Sequence, residues 1–427
     1  MGIFKLREHG TTVSAEALAG VTTFLTMAYI IFVNPAILGD AGMDKGAVFV
    51  ATCLAAAIGS LAMGLYANYP IALAPGMGMN AYFAYGVVLG MGHSWQVALG
   101  AVFISGVLFL ILAVTRVREY IINAIPHSLK LAISAGIGLF LGIIALKNAG
   151  IIVAHPATLV TLGTLSAPPV ILACLGFFAM VAMDVRRVPG ALMIAILGTT
   201  AAGMGLGVTP YGGLVAAPPS IAPTFLQLDL AGALHVGLVT IIFAFLFVDL
   251  FDNAGTLIGL AHRAGLLDEK GRLPRIGRAL VADSVAAMVS GLLGTSTTTS
   301  YIESAAGIKA GGRTGLTAVF VALLFLCALF LAPLAGSIPP YATAPALLYV
   351  ACLMTRGLAE IDWDDLTETV PAVVTALAMP LTFSIAHGIS FGFMSYAAIK
   401  LLSGRWRDIH PAVAILAVAF VAKYAVL

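Results

Sequence analysis

Two runs of sequence decide the fold, and they lie close together in the second half of the chain. The first, Phe243-Ala-Phe-Leu-Phe-Val-Asp-Leu-Phe-Asp-Asn-Ala-Gly-Thr-Leu257, is an apolar helical pattern with two acids in its middle. The second, Gly294-Thr-Ser-Thr-Thr-Thr-Ser-Tyr-Ile-Glu-Ser-Ala-Ala-Gly307, is a polar run between hydrophobic segments. Together they carry the carboxylates Asp249, Asp252 and Glu303.

Composition predicts that these acids lie in a membrane. The 427-residue chain is 61% hydrophobic and 9% charged, with a mean hydropathy of +1.06, whereas soluble proteins carry about 25% charged residues. An ionised acid at the centre of a bilayer costs about 2.5–3.5 kcal/mol or more. The three carboxylates therefore predict a substrate and proton site inside a polytopic membrane protein.

The motifs of other function classes are absent from the sequence. The four cysteines stand singly in apolar stretches, without CxxC or Cys/His spacing, which is typical of small buried side chains. There is no GxxxxGK[ST] phosphate loop for ATP, and neither a nucleophile elbow nor a metal triad is visible. We therefore expect a protein that is not an enzyme, with no metal, no cofactor and no nucleic-acid partner.

About fourteen stretches are apolar enough to cross a bilayer, since a spanning helix needs about 20 mostly apolar residues. Those of the first half are Ala17–Leu38, Ala47–Ala67, Met77–Leu89, Val97–Val114, Lys130–Leu146, Val170–Met183 and Ala191–Leu206. Those of the second half are Val236–Ala261, Ala279–Leu293, Ser300–Ile308, Gly315–Leu331, Ala342–Met354, Thr369–Ile385 and Ile389–Leu402. The last apolar run, Pro411–Val426, is either a further span or an interfacial helix.

Loop charges predict the orientation. With the N-terminus inside, the outer loops hold only Lys45 and Lys147, and nearly all other basic residues fall inside. The first sixteen residues lack the order of a signal peptide. We expect a multi-pass protein of the cell membrane (plasma or inner membrane) with a cytoplasmic N-terminus, and a solvated cytoplasmic loop at the acidic run 360–368.

The two halves meet near the proline-rich loop Ala216–Asp229 and each contains seven candidate spans. Because seven is odd, the second half enters the membrane from the opposite side, which gives a 7+7 inverted repeat. In each half the third span is short. These short spans are the best pointer in a sequence to a transporter site.

Both short spans follow a segment that disfavours a helix. In the first half Pro75 and two glycines predict an extended chain until about Met79, with Asn80 in the first turn of the helix that follows. In the second half six hydroxyl residues, Thr295–Ser300, predict a helix that starts near Ser300 or Tyr301 and holds Glu303 in its first turn. Two half-helices that point their N-termini at one place form a partly positive pocket.

The acids of the eighth span share one helix face. Asp249, Asp252 and Thr256 stand at i, i+3 and i+7. Acids that are buried together favour a form in which one of them holds a proton, which suits proton-coupled transport. Asp283 follows Arg278 near the start of its span and is interpreted as a local ion pair or cap, and Glu16 is interpreted as interfacial.

With these motifs the chain resembles the nucleobase–ascorbate transporter superfamily, and within it the AzgA-like purine branch of adenine, guanine and hypoxanthine permeases. The matching runs are Phe32-Val-Asn-Pro-Ala-Ile-Leu, Ala74-Pro-Gly-Met-Gly-Met-Asn-Ala-Tyr-Phe, Phe247-Val-Asp-Leu-Phe-Asp-Asn-Ala-Gly-Thr-Leu and the Gly294–Gly307 run. The resemblance implies a core domain of residues 1–115 and 230–335 and a gate domain of residues 116–215 and 336–427. It also implies that gate domains pair in a homodimer.

The resemblance assigns site residues by motif. Asp252 matches the substrate-binding acid of the eighth span and Glu303 the acid of the tenth, while Asp249 and Asn80 match polar positions of the purine branch. Thr256 stands where uracil carriers have a histidine. Ser300 and Tyr301 belong to the same substrate site, and the base is expected to stack on an aromatic ring such as Phe83, Phe251 or Tyr301.

We therefore expect proton-coupled uptake of purine nucleobases across the lipid bilayer, with Asp249, Asp252 and Glu303 coupling protons. A carboxylate accepts N–H groups of a purine, half-helix amides donate to its ring nitrogens, and an asparagine does either. The alternatives are a xanthine or uracil permease of the same superfamily, or an anion exchanger or channel on the related fold. The sequence does not rank adenine, guanine and hypoxanthine.

Overall fold

A computed structural model describes residues 3–115, 125–234, 239–263 and 274–426. Within these ranges nine helices are long and apolar enough to cross a bilayer, and further apolar helices are shorter. Two of the helical runs are short and follow a three-residue strand, as the sequence predicts. The predicted fold class, an all-α polytopic membrane protein built as an inverted repeat with two half-helices, is confirmed.

The helices and strands follow the predicted spans closely. The first half contains α1 (Val13–Met27), α2 (Ile30–Asp40), α3 (Lys45–Ala62, continued by a π-helical turn to Ala67), β1 (Leu73–Pro75), α4 (Met77–Ala81, continued as π-helix to Gly90), α5 (Trp95–Thr115), α6 (His127–Asn148), β2 (Ile152–His155), β3 (Leu159–Leu162), α7 (Pro168–Val185) and α8 (Ala191–Gly205). The antiparallel β2–β3 hairpin is exposed and was not predicted.

The second half contains α9 (Leu230–Ala233), α10 (Val239–Arg263), α11 (Ile276–Leu293), β4 (Thr298–Ser300), α12 (Ser304–Lys309), α13 (Gly315–Ala328), α14 (Ala332–Ser337), α15 (Pro340–Thr355), α16 (Leu366–Leu381), α17 (Ile385–Leu402) and α18 (Pro411–Val426). The second half-helix, α12, was predicted to start near Ser300 or Tyr301. That prediction is wrong by about three residues, because Thr298–Ser300 remains extended to pair with β1.

Two groups of helices are distinguished by their contacts. In the first group, the packed pairs are α1–α13, α3–α13, α3–α11 and α5–α11. In the second, α6 packs on α15 and α16, and α7 packs on α8 and α15. Helix α10 contacts α5, β4 and α12 of the first group and α17 of the second. The assignment of core and gate domains to residue ranges stays a prediction.

Glu16 is not interfacial as predicted, because its side chain is fully buried. Its carboxylate accepts the backbone N–H groups of Arg313 (3.0 Å), Thr314 (3.3 Å) and Thr317 (3.2 Å). The Arg313 and Thr314 amides lie just before the first turn of α13 and the Thr317 amide lies within it. The first amides of a helix have no acceptor four residues earlier within that helix. Glu16 therefore caps α13 from α1 and fastens the two helices together.

Candidate functional site

The site is built on a two-stranded antiparallel sheet that joins the two halves. Strand β1 pairs with β4 in the register Leu73↔Ser300, Ala74↔Thr299 and Pro75↔Thr298. A glycine is required at position 76 because Thr299 lies so close: a Cβ at this position would be 2.5 Å from the Cγ2 atom of Thr299. Each strand leads directly into its half-helix, so α4 and α12 begin near each other.

Asn80 lies in α4 next to the hydroxyl run of the other half. Its side chain is fully buried, and its Oδ1 accepts a hydrogen bond from Ser296 Oγ. Within the described part of the chain its Nδ2 has no partner. A buried donor without an acceptor costs about 1–3 kcal/mol. This amide is therefore positioned to donate to a bound molecule.

Asn253 is the centre of the polar cluster, although the sequence did not single it out. Its Nδ2 donates to Asp249 Oδ1 (2.7 Å) and to Asp283 Oδ2 (2.6 Å). Its Oδ1 accepts from Thr299 Oγ1 and from the Ser300 amide, both at 2.9 Å. One carboxamide therefore joins α10, α11 and β4 with all of its donors and acceptors in use.

Asp283 belongs to this cluster, so its interpretation as a local ion pair or cap is wrong. Its side chain is fully buried, and that of Asp249 is 1% exposed. Both carboxylates lie within 2.7 Å of the same amide nitrogen. Two ionised carboxylates this close repel each other in a medium of low dielectric constant, and both accept from the one Asn253 amide.

Glu303 lies at the N-cap position of α12. Its Oε1 accepts a hydrogen bond of 2.7 Å from the hydroxyl of Tyr29, and its backbone carbonyl accepts a longer one from Thr26. Tyr29 occupies the break between α1 and α2 and is 1% exposed. The orientation of the Glu303 carboxylate is therefore set by a residue about 270 positions earlier in the chain.

The hydroxyl run is held by side chains of four other helices, two of which are α4 and α10 as described above. Asn34 of α2 donates to Thr295 Oγ1 (2.8 Å) and to Thr52 of α3 (2.7 Å). Ser290 of α11 donates to Thr298 Oγ1 (2.6 Å). An extended segment inside the protein needs such partners, because its backbone cannot complete the ladder of a helix.

The other predicted site residues are placed as follows. Tyr301 is buried and its hydroxyl donates to the Pro75 carbonyl (2.6 Å), so this group supports the sheet. Ser300 Oγ has no partner within the described ranges. Thr256 is half-buried on α10. The backbone of Asp252 lies in α10, but its side chain is outside the described residues, as is that of Phe251.

Among the ring candidates, Phe83 is fully buried in the π-helical continuation of α4. Its neighbour Tyr82 makes an edge-on contact with Phe245 of α10, with ring centroids 4.8 Å apart. Helix α10 therefore contacts both half-helices and the strand between them. The predicted residues Asn80, Asp249, Ser300 and Glu303 lie on elements that touch one another.

Fold and buried polar cluster together define the class of protein, a polytopic membrane permease. The model of the Permease family named Xan_ur_permease matches residues 14–400. Adenine permease AdeP of Escherichia coli (strain K12) is 53% identical over 421 residues, which cover 99% of this chain and 95% of that protein. Guanine/hypoxanthine permease PbuG of Bacillus subtilis (strain 168) is 47% identical over 430 residues, 98% of each chain.

The chain belongs to this Permease family, that of the nucleobase–ascorbate transporters and their purine permeases. Two solved structures share its fold. The transmembrane domain of the cyanobacterial bicarbonate transporter BicA has a TM-score of 0.66 at 18% identity, covering 88% of this chain and 96% of that one. The murine anion transporter Slc26a9 in its inward-facing state has a TM-score of 0.64 at 12% identity, covering 92% and 68%.

Proposed function

We propose that the protein is a secondary active transporter that takes up purine nucleobases together with protons. The observation that carries the proposal is the buried Asn80 amide in one half-helix, whose Nδ2 lacks an acceptor within the described ranges. Its Oδ1 accepts from Ser296 in the hydroxyl run of the other half. Relatives of similar length named adenine and guanine/hypoxanthine permeases support the choice of substrate. The N-terminus is proposed to lie in the cytoplasm.

The polar groups around the half-helices suit the edge of a purine. In the proposed complex Asn80 Nδ2 donates to a ring nitrogen, while the Glu303 carboxylate accepts a ring N–H group. Asp252 lies one helical turn after Asp249 on α10 and would accept a second N–H group. Charge-assisted hydrogen bonds of this kind are shorter and stronger than neutral ones and give orientation as well as affinity.

Proton coupling is assigned to the carboxylates that share the Asn253 amide. Asp249 and Asp283 each accept one N–H of the same group, at 2.7 and 2.6 Å. A proton that binds one of them relieves their repulsion. Because Asn253 also accepts from Thr299 and the Ser300 amide, a change in charge on either acid is transmitted to β4. This route extends the predicted set of Asp249, Asp252 and Glu303.

Alternating access is assigned to sliding of α10 against α17 and α18. The surface between them is aromatic: Phe247 meets Phe393 with centroids 6.1 Å apart, and Phe243 meets Phe420 at 6.4 Å. Apolar contacts of this kind are not directional, so these described ring contacts allow the helices to slide. We propose that the first helix group moves as the core and the second stays as the gate, paired in a homodimer.

The test is uptake of labelled adenine, guanine and hypoxanthine by proteoliposomes that hold the full-length protein. We expect uptake driven by an inside-alkaline pH gradient, abolished by an uncoupler, and competed by unlabelled purines more strongly than by xanthine or uracil. Recovered label must be the unchanged base, since a new product would indicate an enzyme. A flux that neither the uncoupler nor unlabelled purines reduce would instead support an anion exchanger or channel.

A further inference from the structure

A second cavity lies away from the substrate site, where α5 ends and α11 begins. Its volume is about 470 Å³. It is lined by Arg275 and Arg278 together with the apolar or aromatic side chains of Tyr66, Ala113, Val114, Ile276, Leu280 and Val281. Among the described residues that line this cavity, none is acidic. We call it the arginine cavity.

The two arginines are held side by side over aromatic rings. Arg275 is the N-cap residue of α11, and its guanidinium carbon lies 5.1 Å from the centroid of the Tyr69 ring. Arg278 follows one turn later on the same face, with its guanidinium carbon 5.8 Å from the centroid of Tyr66. Cation–π contacts orient a guanidinium while leaving its N–H groups available.

Neither arginine is neutralised within the described part of the chain, where neither makes an ion pair with a carboxylate. Both side chains are exposed. The described lining of the cavity therefore carries two positive charges and no negative one, and it attracts an anion.

The rim of the arginine cavity is apolar and faces outward. Val114 is 68% exposed and Tyr66 is 52% exposed. Both stand near the ends of long apolar helices, α5 and the continuation of α3, where tyrosine is enriched at the boundary between hydrocarbon and water. Two guanidinium groups beside an apolar rim suit a molecule with an anionic group at one end and hydrocarbon at the other.

We propose that the arginine cavity binds the headgroup of an anionic phospholipid, with its phosphate on Arg275 and Arg278 and its acyl chains along Val114 and Leu280. A guanidinium binds phosphate oxygens through two parallel N–H donors, which is the strongest arrangement available to an exposed cation. Basic cavities between membrane helices on the cytoplasmic side recognise anionic headgroups in this way. Loop charge predicts the cytoplasmic side for this cavity.

The test is lipid retention by the purified full-length protein, measured by native mass spectrometry, with thermal unfolding as a second readout. The probes are phosphatidylglycerol, phosphatidylcholine and glycerol 3-phosphate. The double variant Arg275→Gln/Arg278→Gln removes the phosphate ligands. Arg186→Gln/Arg187→Gln is the matched control, since it also removes two exposed arginines, one of them in the left-handed backbone region (φ 59° for Arg187, 62° for Arg275).

We expect wild-type protein to retain phosphatidylglycerol at least about tenfold more than phosphatidylcholine, and the cavity variant to lose about fivefold or more of that retention. The control should behave as wild type. Equal retention of both lipids would show that the cavity makes only apolar contacts and would overturn the proposal. If glycerol 3-phosphate stabilises the protein as much as phosphatidylglycerol does, the cavity is a site for soluble anions and the proposal is also overturned. Where the double variant does not fold, Arg278→Gln alone is measured, and unchanged retention there overturns the proposal.

Discussion

Strand β1 with helix α4 and strand β4 with helix α12 have the same course, yet different chemistry holds them in place. In the first segment the strand is apolar, and two hydroxyl groups bind its backbone. Ser60 bonds both the N–H and the C=O of Leu73 at 3.0 and 3.1 Å, and Tyr301 donates to the Pro75 carbonyl. In the second, hydroxyl side chains bind Asn34, Asn253 and Ser290 from three helices. The first segment depends on close backbone packing, and the second on a polar network.

Because of this difference, the two halves contribute different kinds of groups to the candidate site. A close-packed apolar segment offers the substrate few groups, so Asn80 is the polar side chain that α4 contributes. The hydroxyl segment is connected through Asn253 to the buried acids of α10 and α11. In the proposed mechanism the second half therefore holds the groups that respond to a proton, and the first half supplies a closely packed wall of the site.

The largest expected effect is at the centre of the polar network. Asn253→Ala deprives Asp249 and Asp283 of an N–H donor and leaves the Ser300 amide without its acceptor, so we expect a loss of about 3–5 kcal/mol in the free energy of unfolding. Purine uptake should be abolished. The free energy of unfolding is measured in detergent, and purine uptake is measured in proteoliposomes. Asn148→Ala is the control, because Asn148 makes one long bond of 3.5 Å to Tyr85.

A comparable stability of Asn253→Ala and Asn148→Ala would show that the hydroxyl segment does not depend on the polar network.

The next effect tests close packing in the first segment. Gly76→Ala places a Cβ 2.5 Å from Thr299 Cγ2, and overpacking of this kind costs about 1–3 kcal/mol. Gly198→Ala, whose added Cβ would meet nothing within 4 Å, is the matched control and should be neutral or slightly stabilising. Thermal unfolding in detergent compares the two variants.

The pair Gly76→Ala/Thr299→Ser should recover most of the loss, because it removes the clashing methyl and keeps the hydroxyl that binds Asn253. If Thr299→Ser gives no recovery, the clash with Thr299 is not the cause.

An effect of similar size is expected at Tyr29, which orients the Glu303 carboxylate. Tyr29→Phe removes the 2.7 Å hydrogen bond, and a bond to a charged group contributes about 1.5–3 kcal/mol. We expect KM for the purine to rise about tenfold or more, with kcat less affected. Tyr85→Phe breaks a similar bond of 2.6 Å to Asp40 and should leave KM unchanged. Equal KM values in the two variants would contradict the role of Tyr29.

The smallest effect lies outside both segments, at the start of α16. Hydrogen bonds from Thr367 and the ion pair with Arg405 lower the pKa of Asp365 from 3.8 to about 2. Its stabilising contribution is therefore complete above pH 4 and is lost as the pH falls towards 2. We expect the unfolding temperature of wild type to fall more over this range than that of Asp365→Asn. If the unfolding temperatures of wild type and Asp365→Asn fall by the same amount over this pH range, the Asp365 carboxylate does not make this contribution.

The acidic run that contains this residue was predicted to be a solvated loop, and this is only partly so. Glu368 lies in α16 and makes an ion pair of 2.7 Å with Lys400, whose side chain is 3% exposed. Ser128 of α6 donates to the same carboxylate. Spacing along the run gives no sign of a cation about 30 residues later in the chain, so this pairing was not predictable.

Much of the fold was predictable from hydropathy and from local backbone chemistry. Runs of about 20 apolar residues located the spans to within a few positions, and Pro75 and the Thr295–Ser300 run located the breaks. The start of α12 was misplaced because the strand pairing that extends β4 is a contact between residues over 200 positions apart. Helix propensity depends on the local sequence, so it does not predict that pairing.

The site was predictable only where a polar residue stood out in an apolar stretch. Asn80, Asp249 and Glu303 met that condition. Asn253 was not predicted, and Asp283 was interpreted as a local ion pair or cap, because the packing of α10 against α11 is what brings this amide and this carboxylate together. Tyr29 was missed because its partner Glu303 lies in the other half of the chain. The Asn253–Asp249 bond joins residues four apart on α10, whereas tertiary packing makes the other contacts.

The central claim is that both halves bind the same purine, with Asn80 on one side and Glu303 on the other. The most direct measurement is equilibrium binding of the purine that is taken up best, to purified wild type, Asn80→Ala and Glu303→Gln, with Asn148→Ala as control. We predict that each site variant binds about tenfold or more weakly while its unfolding temperature stays near that of wild type. Wild-type affinity in both folded site variants would contradict the claim.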